Sequence, residues 1–94
     1  MSDSPEVVDN PDAAQFEIRV DGERAGLAAY RLHPDRIVFL HTEIDDAYEG
    51  KGLGGVLVRA ALDSARERGL RVVPSCPFVR GWIERHPGYA DLVR

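Results

Sequence analysis

The sequence predicts an α+β fold, α/β layered, in which a mixed and mostly antiparallel sheet carries helices in the order β-β-β-α-β-α. Three observations carry that expectation. The first half of the chain alternates apolar with polar residues between turn dipeptides, the period of half-buried strands. Beyond Gly52 the apolar residues recur at the period of an amphipathic helix. Between the two patterns lies a cluster of glycines that neither explains.

Taken in order, residues 1–13 are polar and acidic, contain Pro5 and Pro11, and are expected to form a disordered acidic N-terminal tail. Residues 14–94 then make the domain. Phe16, Ile18 and Val20 alternate over Gln15–Val20, and Asp21-Gly22 is a strong hairpin signal. A partner strand follows over about Arg24–Leu32, and His33-Pro34-Asp35 marks the next turn. Arg36–Ile44 is β-branched and aromatic with no breaker. On an uninterrupted strand Val38, Leu40, Thr42 and Ile44 share one face, and Ile37, Phe39, His41 and Glu43 share the other. Leu53, Val56, Leu57, Ala60, Ala61 and Ser64 form the buried stripe of a helix, with Arg66 and Arg68 in its last turn and Gly69 as its stop. Leu70–Val73 is a short strand halted by Pro74, and Phe78–Arg85 is a short helix ended before Pro87.

Composition narrows the class of function. With 94 residues there is room for one domain, and 25 of them are Leu, Ile, Val or Phe, enough for a core. A net charge of −4 argues against nucleic acid as a partner, because neutralising phosphates takes a basic face. A polybasic membrane anchor is excluded on the same ground, and no apolar run is long enough to span a bilayer. The first residues lack the apolar stretch of a signal peptide. The one cysteine, Cys76, can make neither an internal disulfide nor a zinc cage. A cytoplasmic monomer or homodimer without a metal is therefore expected.

The run Glu49-Gly50-Lys51-Gly52-Leu53-Gly54-Gly55 follows a strand and opens a helix. Glycines there let backbone N–H groups approach a ligand without a Cβ in the way, at the positive end of the helix dipole. That combination suits a phosphate or diphosphate, and Lys51 adds a point charge at the rim. The P-loop pattern fails because Lys51 is followed by Gly52 rather than Ser or Thr. Gly50, Gly52 and Gly55 match the dinucleotide fingerprint literally. However, that fold wants the loop after its first strand and an acidic residue about 20 positions on, and here neither is present.

Strand, acidic loop, glycine run and helix together resemble the acetyl-CoA loop of the GNAT superfamily of N-acetyltransferases. Its Gln/Arg-x-x-Gly-x-Gly/Ala motif falls on Glu49, Gly50, Lys51, Gly52, Leu53 and Gly54, with Glu49 where Gln or Arg is usual. The chain is especially similar to minimal single-domain members with a His-Thr-Glu strand (His41–Glu43), a Gly-Lys-Gly loop (Gly50–Gly52) and a Cys-Pro pair (Cys76-Pro77). The resemblance implies a compact acyl-CoA fold that binds acetyl-CoA, with coenzyme A held by Ile44 and Glu49–Gly55. It implies transfer to a primary amine, on a small molecule or a protein lysine. It also implies that the backbone N–H at Ile44 polarises the thioester and that the edge of that strand binds the pantetheine arm. The helices that wall the acceptor site in larger relatives are absent. A frequent general-acid tyrosine of the superfamily falls near Trp82-Ile83.

An ammonium acceptor, with a pKa near 10.4, must lose a proton before it attacks. His41 and Glu43, at the end of the strand beside the loop, are candidate proton acceptors. The alternatives are a hydrogen-bonded sheet histidine and a solvated carboxylate. Cys76 stands between a strand and a helix. It is a candidate acyl acceptor in a ping-pong scheme, a candidate acid for the departing thiolate, or an ordinary buried cysteine. A non-catalytic acetyl-CoA or CoA-binding module, acting as a sensor or partner subunit, is the runner-up reading.

Overall fold

The computed structural model describes residues 4–93. The chain runs β1 (Glu6–Asn10), a 3₁₀ turn (Pro11–Ala13), β2 (Gln15–Val20), β3 (Glu23–Leu32), β4 (Arg36–Ile44), a second 3₁₀ turn (Asp46–Tyr48), α1 (Leu53–Glu67), β5 (Arg71–Pro74), α2 (Pro77–Glu84) and a closing 3₁₀ segment (Pro87–Val93). One five-stranded sheet has the spatial order β1-β2-β3-β4-β5. Its ladders are antiparallel except the last, β4 with β5, which is parallel. The meander was legible because its turns are: Asp21 and Gly22 both take positive φ (53° and 83°), as a two-residue hairpin turn requires.

The acidic tail is not a disordered lead-in over its described part. Glu6–Asn10 is a strand paired with β2 from Glu6↔Arg19 to Asn10↔Gln15. The reason lies in polar partners that composition does not reveal. Asp9 accepts a 2.6 Å hydrogen bond from the Tyr30 hydroxyl and pairs with Arg68 at 3.5 Å. Burial, then that contact with the Asp9 carboxylate, pushes the Tyr30 phenol up to about 12. Asn10 donates to Glu17 at 3.0 Å. The expectation for Met1–Asp3 lies outside the described residues.

Helix α1 buries Leu53, Leu57, Val58, Ala61, Leu62 and Ala65. That face is turned from the expected stripe: Val56 is 41% exposed, while Val58 and Leu62 go inward against Ala28 and Phe39. Gly69 closes the helix at φ +69°, and Leu70 N–H reaches back to the Ala65 carbonyl at 2.9 Å. The C-terminal segment is docked. Arg66 forks onto Asp91 at 2.9 and 3.1 Å, Tyr89 donates to Asp63 at 2.8 Å, and Leu92 is buried.

Two irregularities in β4 set up everything that follows. Tyr30 pairs with Phe39 and Ala29 with His41, so Leu40 is an extra residue with no partner on β3. This bulge reverses the alternation expected of an uninterrupted strand. Thr42 and Ile44 join Ile37 and Phe39 on the helix-covered face, and His41 and Glu43 stand on the open one. The second irregularity is the short ladder to β5, which stops at Phe39↔Pro74. Pro74 has no N–H to extend it. Cys76 N–H makes a last bond to the Phe39 carbonyl at 2.9 Å, and the chain then turns into α2. Beyond that point Leu40–Ile44 has no strand partner on its β5 side.

The open face also carries Glu17, which pairs across the sheet with Leu27, itself paired with Glu43. Glu17 is only 3% exposed because polar side chains close over it. Asn10 (3.0 Å), Gln15 (2.7 Å) and Arg19 (2.7 Å) bond its carboxylate, with Arg24 at 3.9 Å. Those bonds hold its pKa down at about 2. Among the described residues no helix is long and apolar enough to cross a membrane.

Candidate functional site

Between β4 and α1 the chain is pinned at both ends. Asp45 N–H bonds the Ala25 carbonyl at 2.8 Å, and the Tyr48 hydroxyl donates to Glu23 at 3.1 Å. Gly50 and Gly52 then take positive φ (82° and 74°), a conformation that costs other residues energy. Gly52 is the N-cap of α1 and supplies no side chain to it. The N–H groups of the first turn, Leu53 to Gly55, therefore have no intrahelical acceptor and face outward from the positive end of the helix.

Gly54 and Gly55 have a different reason to be glycine. A Cβ on Gly54 would stand 2.7 Å from the Cζ of Phe78, and one on Gly55 would stand 3.4 Å from the Nε1 of Trp82. Two of the four glycines thus serve backbone conformation, and two let the aromatic rings of α2 close against the start of α1. Packing accounts for part of a cluster that the sequence assigned wholly to ligand approach.

These elements enclose a cleft of about 410 Å³. Ile44 and Leu53 lie on its apolar side, Glu49 and Gly50 on its loop side, and the first-turn glycines open into it. Seven of the eight residues expected to hold a cofactor line it. Lys51 is the exception. It borders a neighbouring groove with Val20, Asp21 and Val56, and its ammonium stands 6.0 Å from the ring of Tyr48. Tyr48 and Phe78 also line the cleft and were not anticipated. Phe78 reads as a core residue by its position in an apolar helix, yet it is 43% exposed. Gly26 was missed too: a Cβ there would meet the Glu43 carbonyl at 2.5 Å and the Cδ1 of Ile44 at 2.6 Å. Its bare backbone lets the end of β4 lie where it does.

The three candidate catalytic side chains are divided by the sheet. His41 Nε2 and a Glu43 carboxylate oxygen are 2.5 Å apart on the open face, with side chains 56% and 58% exposed. Cys76 is 3% exposed on the covered face. Its sulfur lies 3.4 Å from the Thr42 hydroxyl. Thr42 sits between His41 and Glu43 in sequence and points the other way. The site therefore offers a solvated proton-transfer pair on one side of a strand edge and a dry thiol on the other.

Comparison with known proteins agrees with this layout. A family model described as GCN5-related N-acetyl-transferase matches residues 15–92. Protein NATD1 of Bos taurus is 40% identical over 76 residues, covering 78% of this chain. The chain spans 66% of that relative's length. A streptothricin acetyltransferase of Streptomyces lavendulae is 43% identical over 54 residues, which is 55% of this chain and 29% of that one. Among solved structures, a GCN5-like putative N-acetyltransferase from Staphylococcus aureus superposes with a TM-score of 0.72 at 28% identity. That match covers 98% of this chain and 89% of the other.

Proposed function

Because the chain belongs to the GCN5-related N-acetyltransferase family, we propose that it transfers acetyl from acetyl-CoA to a primary amine, on a small molecule or a protein lysine. The observation that carries this reading is the uncapped start of α1, opening onto a cleft that continues into the unpaired edge of β4 at Leu40–Ile44. Backbone N–H groups of the glycine run suit a diphosphate, and a free strand edge suits the amides of a pantetheine arm. The Streptomyces relative, a streptothricin acetyltransferase, supports acetyl transfer as the reaction class.

In this reading the Ile44 N–H polarises the thioester carbonyl, an oxyanion contact of the kind worth about 3–4 kcal/mol where it has been measured. The acceptor approaches from the open face. His41 takes the ammonium proton, and Glu43, bonded to the imidazole, stabilises the cation that results. The amine nitrogen attacks the carbonyl carbon and the carbon–sulfur bond breaks. The Cys76 thiol, at the end of the β4–β5 ladder, protonates the departing thiolate and regains a proton through the Thr42 hydroxyl, 3.4 Å from its sulfur. Glu49 lines the cleft and is exposed, so its carboxylate has water available and need not compete with the phosphates for the amides.

Among the described residues no helix covers the open face, which favours a second reading, a coenzyme A-binding module without turnover. The test is incubation with acetyl-CoA and a panel of amines, following release of free thiol. Amine-dependent thiol release supports transfer. Saturable acetyl-CoA binding with no release supports the module, and no binding overturns both.

A further inference from the structure

One end of the open sheet face carries charge opposite in sign to that of the whole chain. Arg31 follows Tyr30, which is buried on the covered face, so its own side chain stands on the open one. Ile37 and Val72 pair on the covered face, which puts the neighbouring pair Arg36↔Arg71 on the open face as well. Three arginines therefore gather where β3, β4 and β5 run side by side. Asp35 answers one of them, bonding Arg36 at 2.9 Å. Among the described residues neither Arg31 nor Arg71 forms an ion pair, and both are exposed. Arg19 and Arg24, farther along the same face, are taken up by Glu17. In a chain of net charge −4, unmatched cations on this face are a local exception.

Aliphatic side chains lie between this cluster and the His41–Glu43 pair. Val38 pairs with Val73, which is 36% exposed, and Leu40 is 42% exposed at the bulge. The rings of Phe16, Tyr30 and Phe39 pack together on the covered side, so this strip offers no aromatic platform for stacked bases. Cations beside an uncovered aliphatic strip match a peptide with carboxylates and apolar side chains better than a nucleic acid. The geometry also sets a spacing. Arg36 and His41 are five positions apart on β4 with the bulge between them, about 15 Å along the strand. An extended peptide covers that span in four or five residues.

We propose that the acceptor is a lysine within an acidic, extended protein segment that lies across the open face. The proposal deepens the acetyl-transfer reading and rests on it. The lysine amine meets His41, and apolar side chains of the segment lie over Val38, Leu40 and Val73. Carboxylates four or five residues from the lysine meet Arg31 and Arg71. Those two arginines set which lysine is taken, and they touch neither the cofactor nor the reacting carbon. Opposite charge at the docking end speeds the encounter, so the preference weakens as salt rises.

The experiment compares two end-blocked peptides, each with one central lysine and with glutamates or glutamines four and five residues to either side. Turnover is followed as free thiol, with N-acetyl-lysine methylamide as the small acceptor. Binding is read separately, as anisotropy of the fluorescein-labelled peptides on the intact protein. The expected result is about tenfold higher kcat/KM for the glutamate peptide at low salt, falling toward parity in about 0.5 M salt. The double variant Arg31→Gln, Arg71→Gln should lose that preference in turnover and in binding, and acetylate the small acceptor as before. Equal use of the two peptides, or a preference that survives the double variant, overturns the proposal. So does a dimer that the double variant makes monomeric, which would assign the face to a second copy. Displacement of the glutamate peptide by a uridylate oligomer of equal charge at lower concentration would assign it to nucleic acid, and overturns it too. If no amine is acetylated but the glutamate peptide still binds through Arg31 and Arg71, the transfer reading fails and the docking surface stands.

Discussion

The last five residues of β4 present two chemically opposite sides. On the open side, His41 and Glu43 are more than half exposed and bonded to one another. On the covered side, Thr42 meets a cysteine sealed under α2. In the proposed mechanism the open side collects a proton from a charged amine and returns it to bulk water. The covered side holds a thiol in waiting for the leaving group. The strand between them is one residue thick, so both sides can serve a single carbonyl lying along its edge.

That division can be broken most severely on the wet side. Glu43→Gln keeps the shape of the pair but removes the charge that stabilises imidazolium. We expect kcat to fall by about 10²-fold with little change in KM for acetyl-CoA, because the base that takes the proton loses the charge that stabilises its protonated form. A rate within threefold of the unmodified protein would remove Glu43 from the mechanism. Gly26→Ala strikes both sides together, because its methyl would stand 2.5 Å from a backbone oxygen that no rotamer change can move. A loss of about 1–3 kcal/mol in denaturant unfolding is expected, with activity falling in parallel.

The open side also has a pH signature. The Glu17 pKa is lowered to about 2 by Asn10, Gln15 and Arg19, against 4.5 for the free group. A depressed pKa means stability present above the unfolded value and lost as the pH falls toward the folded one. The contribution, of order 2 kcal/mol, should be intact at pH 6 and drain away between about pH 4.5 and 2. Glu17→Gln should flatten the melting curve's dependence on pH in that window. An unchanged dependence would mean that other carboxylates hold the sheet.

The smallest effect is expected on the dry side. Cys76→Ala should slow turnover by about tenfold through the leaving group, with acetyl-CoA affinity preserved. In the native protein the thiol should react with an aromatic disulfide reagent only as fast as α2 opens. An acetyl adduct on Cys76 in intact-mass spectra would reverse the assignment of roles and make the covered side the nucleophilic one.

The sequence disclosed what local chemistry decides. Asp21-Gly22 made the hairpin, Gly69 stopped the helix, and Glu49–Gly55 marked the start of α1 because strand, loop and helix signals are contiguous there. What it withheld depends on partners remote in the chain. The strand at Glu6–Asn10 is held by Tyr30, Arg68 and Glu17, so its own polar composition pointed to disorder. Gly54 and Gly55 answer to Phe78 and Trp82, more than twenty positions later, so their reason was read as ligand approach alone. The facing of His41 and Glu43 follows from an unpaired residue that only the ladder with β3 exposes.

The unpaired Leu40 makes parity a property that the strand can lose. Take it into the ladder opposite Ala29, and every residue from His41 to Ile44 changes sides: an imidazole and a carboxylate would press against the hydrophobic helices while a hydroxyl and an isoleucine turned to water. The pairing of β4 with β3 past Phe39 therefore governs the site more strictly than the composition of the strand does. Engineers grafting new acceptor specificity onto so small a scaffold have freedom of identity there, provided the register with β3 is kept.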